Sequence, residues 1–508
     1  MCEVVAAFDE EYYVESKYPH PYFSSHPKWR WFILSTVLVG ATMSALDVSI
    51  VNVALPTLQG DFKVNLAVIE WVAMAYMLTL TIFLPLFGRL ADIFGRTKMY
   101  NTGFVVFTVG SALCGLATTA GFLIGARILQ AVGAGLLQAN SVALITQAFP
   151  ANERGRAIGI QGAVQAIAMS VGPFVGGILI SAVSWRAIFY VNVPIGILGT
   201  FAALYCLPAG ESSGKREKVD YLGTAFFASG LAFLVLAVNE GEGIGWTAPI
   251  ILTYFALSVV LITAFLITEM RVEHPMIDLS LFKRYAFSAG NFTGMLSYYV
   301  LFAVLFLMPF YLEKIAGYSP AITGSILTPI PLAMAVVAPF AGHISDKYGS
   351  RLMTTWGMGV CALATLLLIF TGQTPNMFIL IMELVILGIG MGLFTPPNNS
   401  AIMGSAPKER LGVAGGILNM MRALGLIFGV DISGVIFTSI EHHYIADHGY
   451  KVTVFKNLPV ALRKEAFLHG FAPVMVTLLL INIVAAVLSA AKKDVHSDGE
   501  HAEPIDLM

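Results

Sequence analysis

Fourteen stretches of this sequence are apolar for close to the length, about 20 residues at about 1.5 Å each, that a helix needs to cross a bilayer. They fall at 31–56, 66–88, 99–120, 122–148, 156–184, 187–207, 221–239, 248–268, 286–312, 320–342, 352–372, 375–400, 411–437 and 469–490. Inside hydrocarbon, backbone polar groups must be satisfied within each segment, so the expected fold is an all-α membrane protein with fourteen transmembrane helices. Composition agrees, since 57% of the 508 residues are hydrophobic and only 12% are charged, about half the usual fraction in soluble domains.

The few charges report topology. If both termini are cytoplasmic, most Lys and Arg fall on that side, from Lys17, Lys28 and Arg30 to Lys492 and Lys493, as the positive-inside rule requires. The outer side gathers Lys451, Lys456, Arg463 and Lys464 in one long loop, 438–468, and Arg127 and Arg422 lie within spans. Residues 1–30 lack the basic and apolar regions of a signal peptide and read as a retained cytoplasmic arm. A net charge of −2 without a basic patch argues against nucleic acid as a partner. Cys2, Cys114, Cys206 and Cys361 stand singly, and His442, His443 and His448 have no matching ligand spacing, so neither disulfide nor metal is expected.

An internal repeat divides the chain. Gly88-Arg-Leu-Ala-Asp92-Ile-Phe-Gly95-Arg96 after span two returns as Gly342-His-Ile-Ser-Asp346-Lys-Tyr-Gly349 after span ten, and Pro150-Ala-Asn-Glu153-Arg154 returns as Pro407-Lys-Glu409-Arg410, each about 255 residues on. The organisation is then a cytoplasmic arm (1–30), a six-helix bundle (31–207), an inserted helical pair (208–285), a second six-helix bundle (286–490) carrying the outer loop, and a cytoplasmic tail (491–508). Two pseudo-symmetric halves suggest rocking around a midplane site.

Asp47 is the one carboxylate in the first span, where a lone charge costs several kcal/mol, so it should face protein interior or water. Arg127 sits at a similar depth in span four, and the two can meet, either as a proton-coupled switch or as a permanent structural pair. Gly88, Asp92, Gly95, Arg96, Gly342, Asp346 and Gly349 read as a conformational latch or as plain tight turns. Gly172, Pro173, Gly176 and Gly177 present a small, bent helix face that seals a cavity or simply packs closely. Asp431 lacks a helical partner, because Arg422 points to the opposite face of span thirteen; its depth matches Asp47 and Arg127 and suggests a shared cavity for positively charged compounds. No phosphate loop, dinucleotide fingerprint or nucleophile elbow occurs, so an ATP-driven or hydrolytic enzyme has no basis here.

LDVSIVNVALP in span one, GRLADIFGRTK after span two, ARILQAVGAG around Arg127, VGPFVGG at 171–177, Trp185-Arg186, the Asn192–Gly196 run and Gly245-Trp246 together resemble the fourteen-helix drug:proton antiporter branch of the major facilitator superfamily, over spans one to fourteen. The resemblance implies a proton-driven exporter of amphipathic organic molecules in the cytoplasmic (inner) membrane. It implies no cofactor beyond the proton gradient, and it leaves open a periplasmic adaptor with an outer-membrane channel. It makes Asp47 and Arg127 the coupling pair and 172–177 the antiporter motif, and Asn52, Glu70, Tyr76, Glu383 and Asp431 are candidates for the cavity lining. Glu70 departs from the branch, which often has glutamine there, as does Asp431, where a small apolar residue is usual; these acids line a cavity or a wetted rim. Two alternatives stand beside export: transport of one specific metabolite or siderophore, and a non-transporting membrane sensor or scaffold. Asp47, Arg127, Asp92 and Asp346 speak against the scaffold, which has no need of costly intramembrane charge.

Overall fold

The computed structural model describes residues 28–149, 151–208, 221–272, 277, 279–373, 375–407, 411–450 and 459–491; the N-terminal arm before residue 28 and the tail from 492 lie outside them. The described chain runs through α1 (Trp29–Phe62), α2 (Leu66–Phe94), α3 (Arg96–Gly115), α4 (Ala120–Ala148), α5 (Ala151–Ala182), the single turn α6 (Ala187–Tyr190), α7 (Asn192–Cys206), α8 (Tyr221–Ile244) and α9 (Pro249–Glu269). It continues through α10 (Tyr285–Phe310), α11 (Pro320–Leu327), α12 (Pro329–Tyr348), α13 (Ser350–Leu368), α14 (Met377–Ser405), α15 (Leu411–Asp447) and α16 (Val460–Ala490). With α6–α7 and α11–α12 each making one crossing, the segments follow the apolar runs of the sequence. Thirteen of these segments are long and apolar enough to cross a membrane; the remaining one, α3, has 20 residues but opens on Arg96-Thr97-Lys98.

The repeat is visible in how helices begin and break. Thr119 accepts a hydrogen bond from the Phe122 amide (3.2 Å) at the start of α4, and Asn376 accepts one from the Phe378 amide (3.0 Å) at the start of α14, each relieving an unpaired N–H. Gly95 and Gly349, at the breaks between α2 and α3 and between α12 and α13, have φ of 93° and 87°, a region glycine enters without strain. Their amides donate to the Ala91 and Ser345 carbonyls at 2.9 Å, so the two turns are built alike.

Packing repeats too. In the first half α1 lies on α5 and α2 on α4; in the second α10 lies on α15 and α12 on α14. Between the halves α5 meets α11 and α2 meets α15, contacts that the repeat maps onto each other. They close the end away from the chain termini. There Gly177 sits against Pro320 and Gly324 against Pro173, the Ala321 amide donates to Ser181 Oγ (3.2 Å), and Lys314 donates to Gln59. Of the inserted pair, α8 lies against both α2 and α15, while α9 pairs with α8 and turns outward. The α9 span has a mean hydropathy of 2.6 and only 17% of its apolar window is buried, as suits a lipid-facing helix.

The 438–468 connection is largely helical rather than a loop. α15 continues to Asp447 and α16 already begins at Val460, with 451–458 outside the described residues. Hydropathy ends span thirteen where Glu441-His442-His443 begins, yet polar residues prolong a helix once it leaves hydrocarbon, and Ile445 of α15 packs there on Leu462 and Ala466 of α16.

Candidate functional site

Asp47 and Arg127 meet inside the first half, with 0% and 1% of their side chains exposed. Arg127 Nη1 donates to Asp47 Oδ2 at 2.5 Å and to Gln130 Oε1 at 2.7 Å, while Nε donates to the Val72 carbonyl of α2 at 3.1 Å. Gln130, one turn along α4, donates back to Asp47 Oδ1 (2.8 Å) and to Ser111 Oγ (3.1 Å). Asn192 donates to Asp47 Oδ1 at 3.3 Å, and Ser111 hands its own proton to the Phe189 carbonyl at 3.0 Å. The guanidinium lies over the Tyr76 ring, 4.1 Å from its centroid. Buried and charge-assisted, this network spans α1, α2, α3, α4 and α7.

Local structure aims Asn192 at the acid. Span six breaks between α6 and α7, so Asn192 opens the second piece. The break is anchored by Trp185, whose Nε1 donates to Asp61 Oδ2 (2.6 Å), and by Arg186, which stacks on Trp185 at 4.2 Å and donates to the Ala117 carbonyl at 3.1 Å. Chemically, protonation of Asp47 would dissolve the ion pair and leave the guanidinium to Gln130, the Tyr76 ring and the Val72 carbonyl, so a proton on α1 is felt on α2.

The remaining sequence candidates distribute over several places instead of one cavity. Gly172 and Gly176 lie against Ser49 and Ile50 of α1, while Pro173 and Gly177 lie against Gly324 and the Pro320–Ala321 backbone of the other half. The motif therefore seals two seams at once. Gly95 and Gly349 shape the repeated turns described above, and Gly88 and Gly342 have open space around them. The side chains of Asp92 and Asp346 lie outside the described residues, and Arg96 is half-buried at the start of α3. Tyr76 is buried under the Arg127 guanidinium. Asn52 is buried within α1 at 4% exposure. Glu383, 256 residues on from Arg127, is 7% exposed in α14, and the second half has Leu301, Phe302 and Ala303 where the first has Asp47.

Glu70 and Asp431 meet neither Asp47 nor Arg127; they lie at the seam of α2, α8 and α15. The Glu70 carboxylate rests on Gly434, one turn beyond Asp431. Asn239 of α8 donates to Glu70 Oε2 at 3.2 Å, accepts from Trp71 Nε1 at 3.0 Å, and stands beside the Asp431 carboxylate. Both Asp431 oxygens are buried without a hydrogen bond of good geometry. Depth along a helix does not tell which face Asp431 occupies, and the face it occupies turns toward the insert. Gln130, Ser111 and Asn239 are candidate-site residues that the sequence did not single out, and Asn192 was marked only as part of the Asn192–Gly196 run; Gln130 had a signal, lying three residues from Arg127 and hence on its face of the helix.

Two repeated six-helix halves, an inserted pair and a buried charge network in one half define a multi-pass membrane transporter. Residues 37–430 match the model of the Major Facilitator Superfamily, and the chain belongs to that family. It is 39% identical to the riboflavin transporter RibZ of Clostridioides difficile over 79% of this chain and 87% of that protein. It is 32% identical to the multidrug resistance protein Stp of Mycobacterium tuberculosis over 91% and 92% of the two chains. Among solved structures, a bacterial homologue of the human lysosomal transporter Spinster, inward-facing and unoccupied, matches with a TM-score of 0.67 and 16% identity over 92% of this chain and 97% of that one, a likeness of fold.

Proposed function

We propose that this transporter is a proton-driven antiporter that exports amphipathic organic compounds through the cytoplasmic membrane by alternating access. The buried Asp47–Arg127 pair carries the reading: it is a titratable charge held where charge is costly, and its arginine ties to the backbone of α2, a helix that forms the seam between the halves. In the inward-open state Asp47 is deprotonated and paired with Arg127; once the loaded transporter opens outward, Asp47 takes a proton from outside, which releases Arg127, shifts α2 and favours return to the inward-open state, where the proton leaves and the pair re-forms. With both termini cytoplasmic, the closed end faces outward, and the state described here is the one that loads from inside. Likeness to Stp supports multidrug export. The proposal does not extend to an adaptor or an outer-membrane channel, which neither the site nor the relatives support.

Ethidium accumulation in cells with and without the gene tests this. Lower accumulation that a protonophore abolishes is expected; equal accumulation in both cells sinks the proposal. The likeness to RibZ favours a second reading, transport of one planar metabolite, and riboflavin flux with no effect on ethidium would select it.

A further inference from the structure

Arg422 is a second intramembrane cation, and the coupling network does not use it. It lies 11 residues along α15, roughly 16 Å from that helix's start, and its side chain is half-buried. No carboxylate of a described residue pairs with it. Its partners are the Tyr298 ring, 5.3 Å from the guanidinium carbon, and a long contact of 3.5 Å to Asn419 Oδ1.

The guanidinium opens onto a small recess between α10, α14 and α15, walled by Tyr298 and Phe394 and bearing Asn291, Thr395 and Asn399. Asn291 is 1% exposed and donates to the Phe287 carbonyl (2.9 Å), yet its Oδ1 accepts from no described residue; Thr395 Oγ1 is likewise buried without a partner. Buried polar atoms in native proteins are nearly always satisfied, so an acceptor without a described partner, in a recess lined by an arginine without a described carboxylate, marks a place built for something that arrives. α10 and α15 are also the second-half helices that meet α1 and α2 of the first half, so the recess adjoins the gap a rocking transporter opens.

We propose that this recess is a substrate subsite for the anionic end of an acidic or zwitterionic aromatic compound. Arg422 takes the carboxylate or other anionic oxygens, Asn291 Oδ1 accepts from an adjoining N–H or O–H, and Tyr298 and Phe394 flank the ring. The recess is small, so it takes only the anionic end of a substrate and leaves the rest between the halves. The subsite deepens the transport reading and reverses the expectation from Asp431 that recognition favours cations, because the charge on this wall is positive and no acid lines it.

Fluorescein, an aromatic carboxylate with a phenolic O–H, is the probe, with cationic ethidium as control, in binding titrations on the purified protein. Arg422→Gln should weaken fluorescein binding by about tenfold, which corresponds to about 1.4 kcal/mol, and leave ethidium within about twofold. Arg422→Lys should fall between, because lysine keeps the charge and loses the planar fork. Asn291→Leu should weaken fluorescein by a few-fold with the cation intact, and it carries the test alone if Arg422→Gln does not fold. Failure of the wild type to bind fluorescein, unchanged binding by the variants, or equal losses for both dyes would overturn the subsite. Fluorescein binding that depends on Arg422 in a protein that moves no dye across vesicles would instead sink the transport reading and leave the subsite.

Discussion

Arg127 is held so fully that its partner cannot be removed without consequence. Asp47→Asn keeps the shape but leaves a buried guanidinium without its counter-charge, which costs about 3–5 kcal/mol, so a fall of several degrees in the thermal unfolding midpoint of the purified protein is expected together with loss of uphill transport. Asp47→Asn combined with Arg127→Gln removes both charges and should recover most of that fall; a double variant as unstable as the single one would mean that the pair is not the coupled unit described here. Asp47 and Arg127 were legible in the sequence because an ionisable residue in an apolar run has to find company at its own depth. Ser111 and Asn192 were not, since uncharged polar residues occur throughout membrane helices and only the break between α6 and α7 turns Asn192 toward the acid.

At the scale of elements, the seam contacts carry the predictions. A Cβ on Gly177 would meet the Pro320 carbonyl and stand 2.9 Å from Ala321 Cα, so Gly177→Val should hold α5 off α11. Cross-linking between cysteines placed at Ser181 and Ala321, whose groups touch in the closed end, should fall sharply in that background; undiminished cross-linking would show that the seam tolerates the methyl groups. Asn239→Leu removes the amide that links α8 to Glu70 and Trp71, leaves buried groups unsatisfied at about 1–3 kcal/mol, and should lower the unfolding midpoint even though Asn239 lies in the insert; no change would mean that the insert packs without that tie. Helix count, order and the repeated glycine turns could be read from hydropathy and from Gly95 and Gly349 because each is a local property. The partition of Glu70, Tyr76 and Asp431 among separate places could not, because it depends on which face each helix turns to a neighbour far away in sequence. The helical extension to Asp447 was hidden for a different reason: hydropathy marks where hydrocarbon ends, not where a helix does.

For the whole molecule, the halves differ in kind. The first carries the sealed charge network and the second carries Arg422 with its recess, so on the proposed reading proton handling and substrate handling fall to different bundles, joined by the contact of α2 with α15. Coupling across that seam is the central claim, and reconstituted vesicles with an imposed pH gradient measure it most directly. Wild-type protein should accumulate ethidium against its gradient while protons flow the other way, and Asp47→Asn/Arg127→Gln, although folded, should only let the dye equilibrate. Uphill accumulation by that double variant would contradict the account and make the ion pair a structural one.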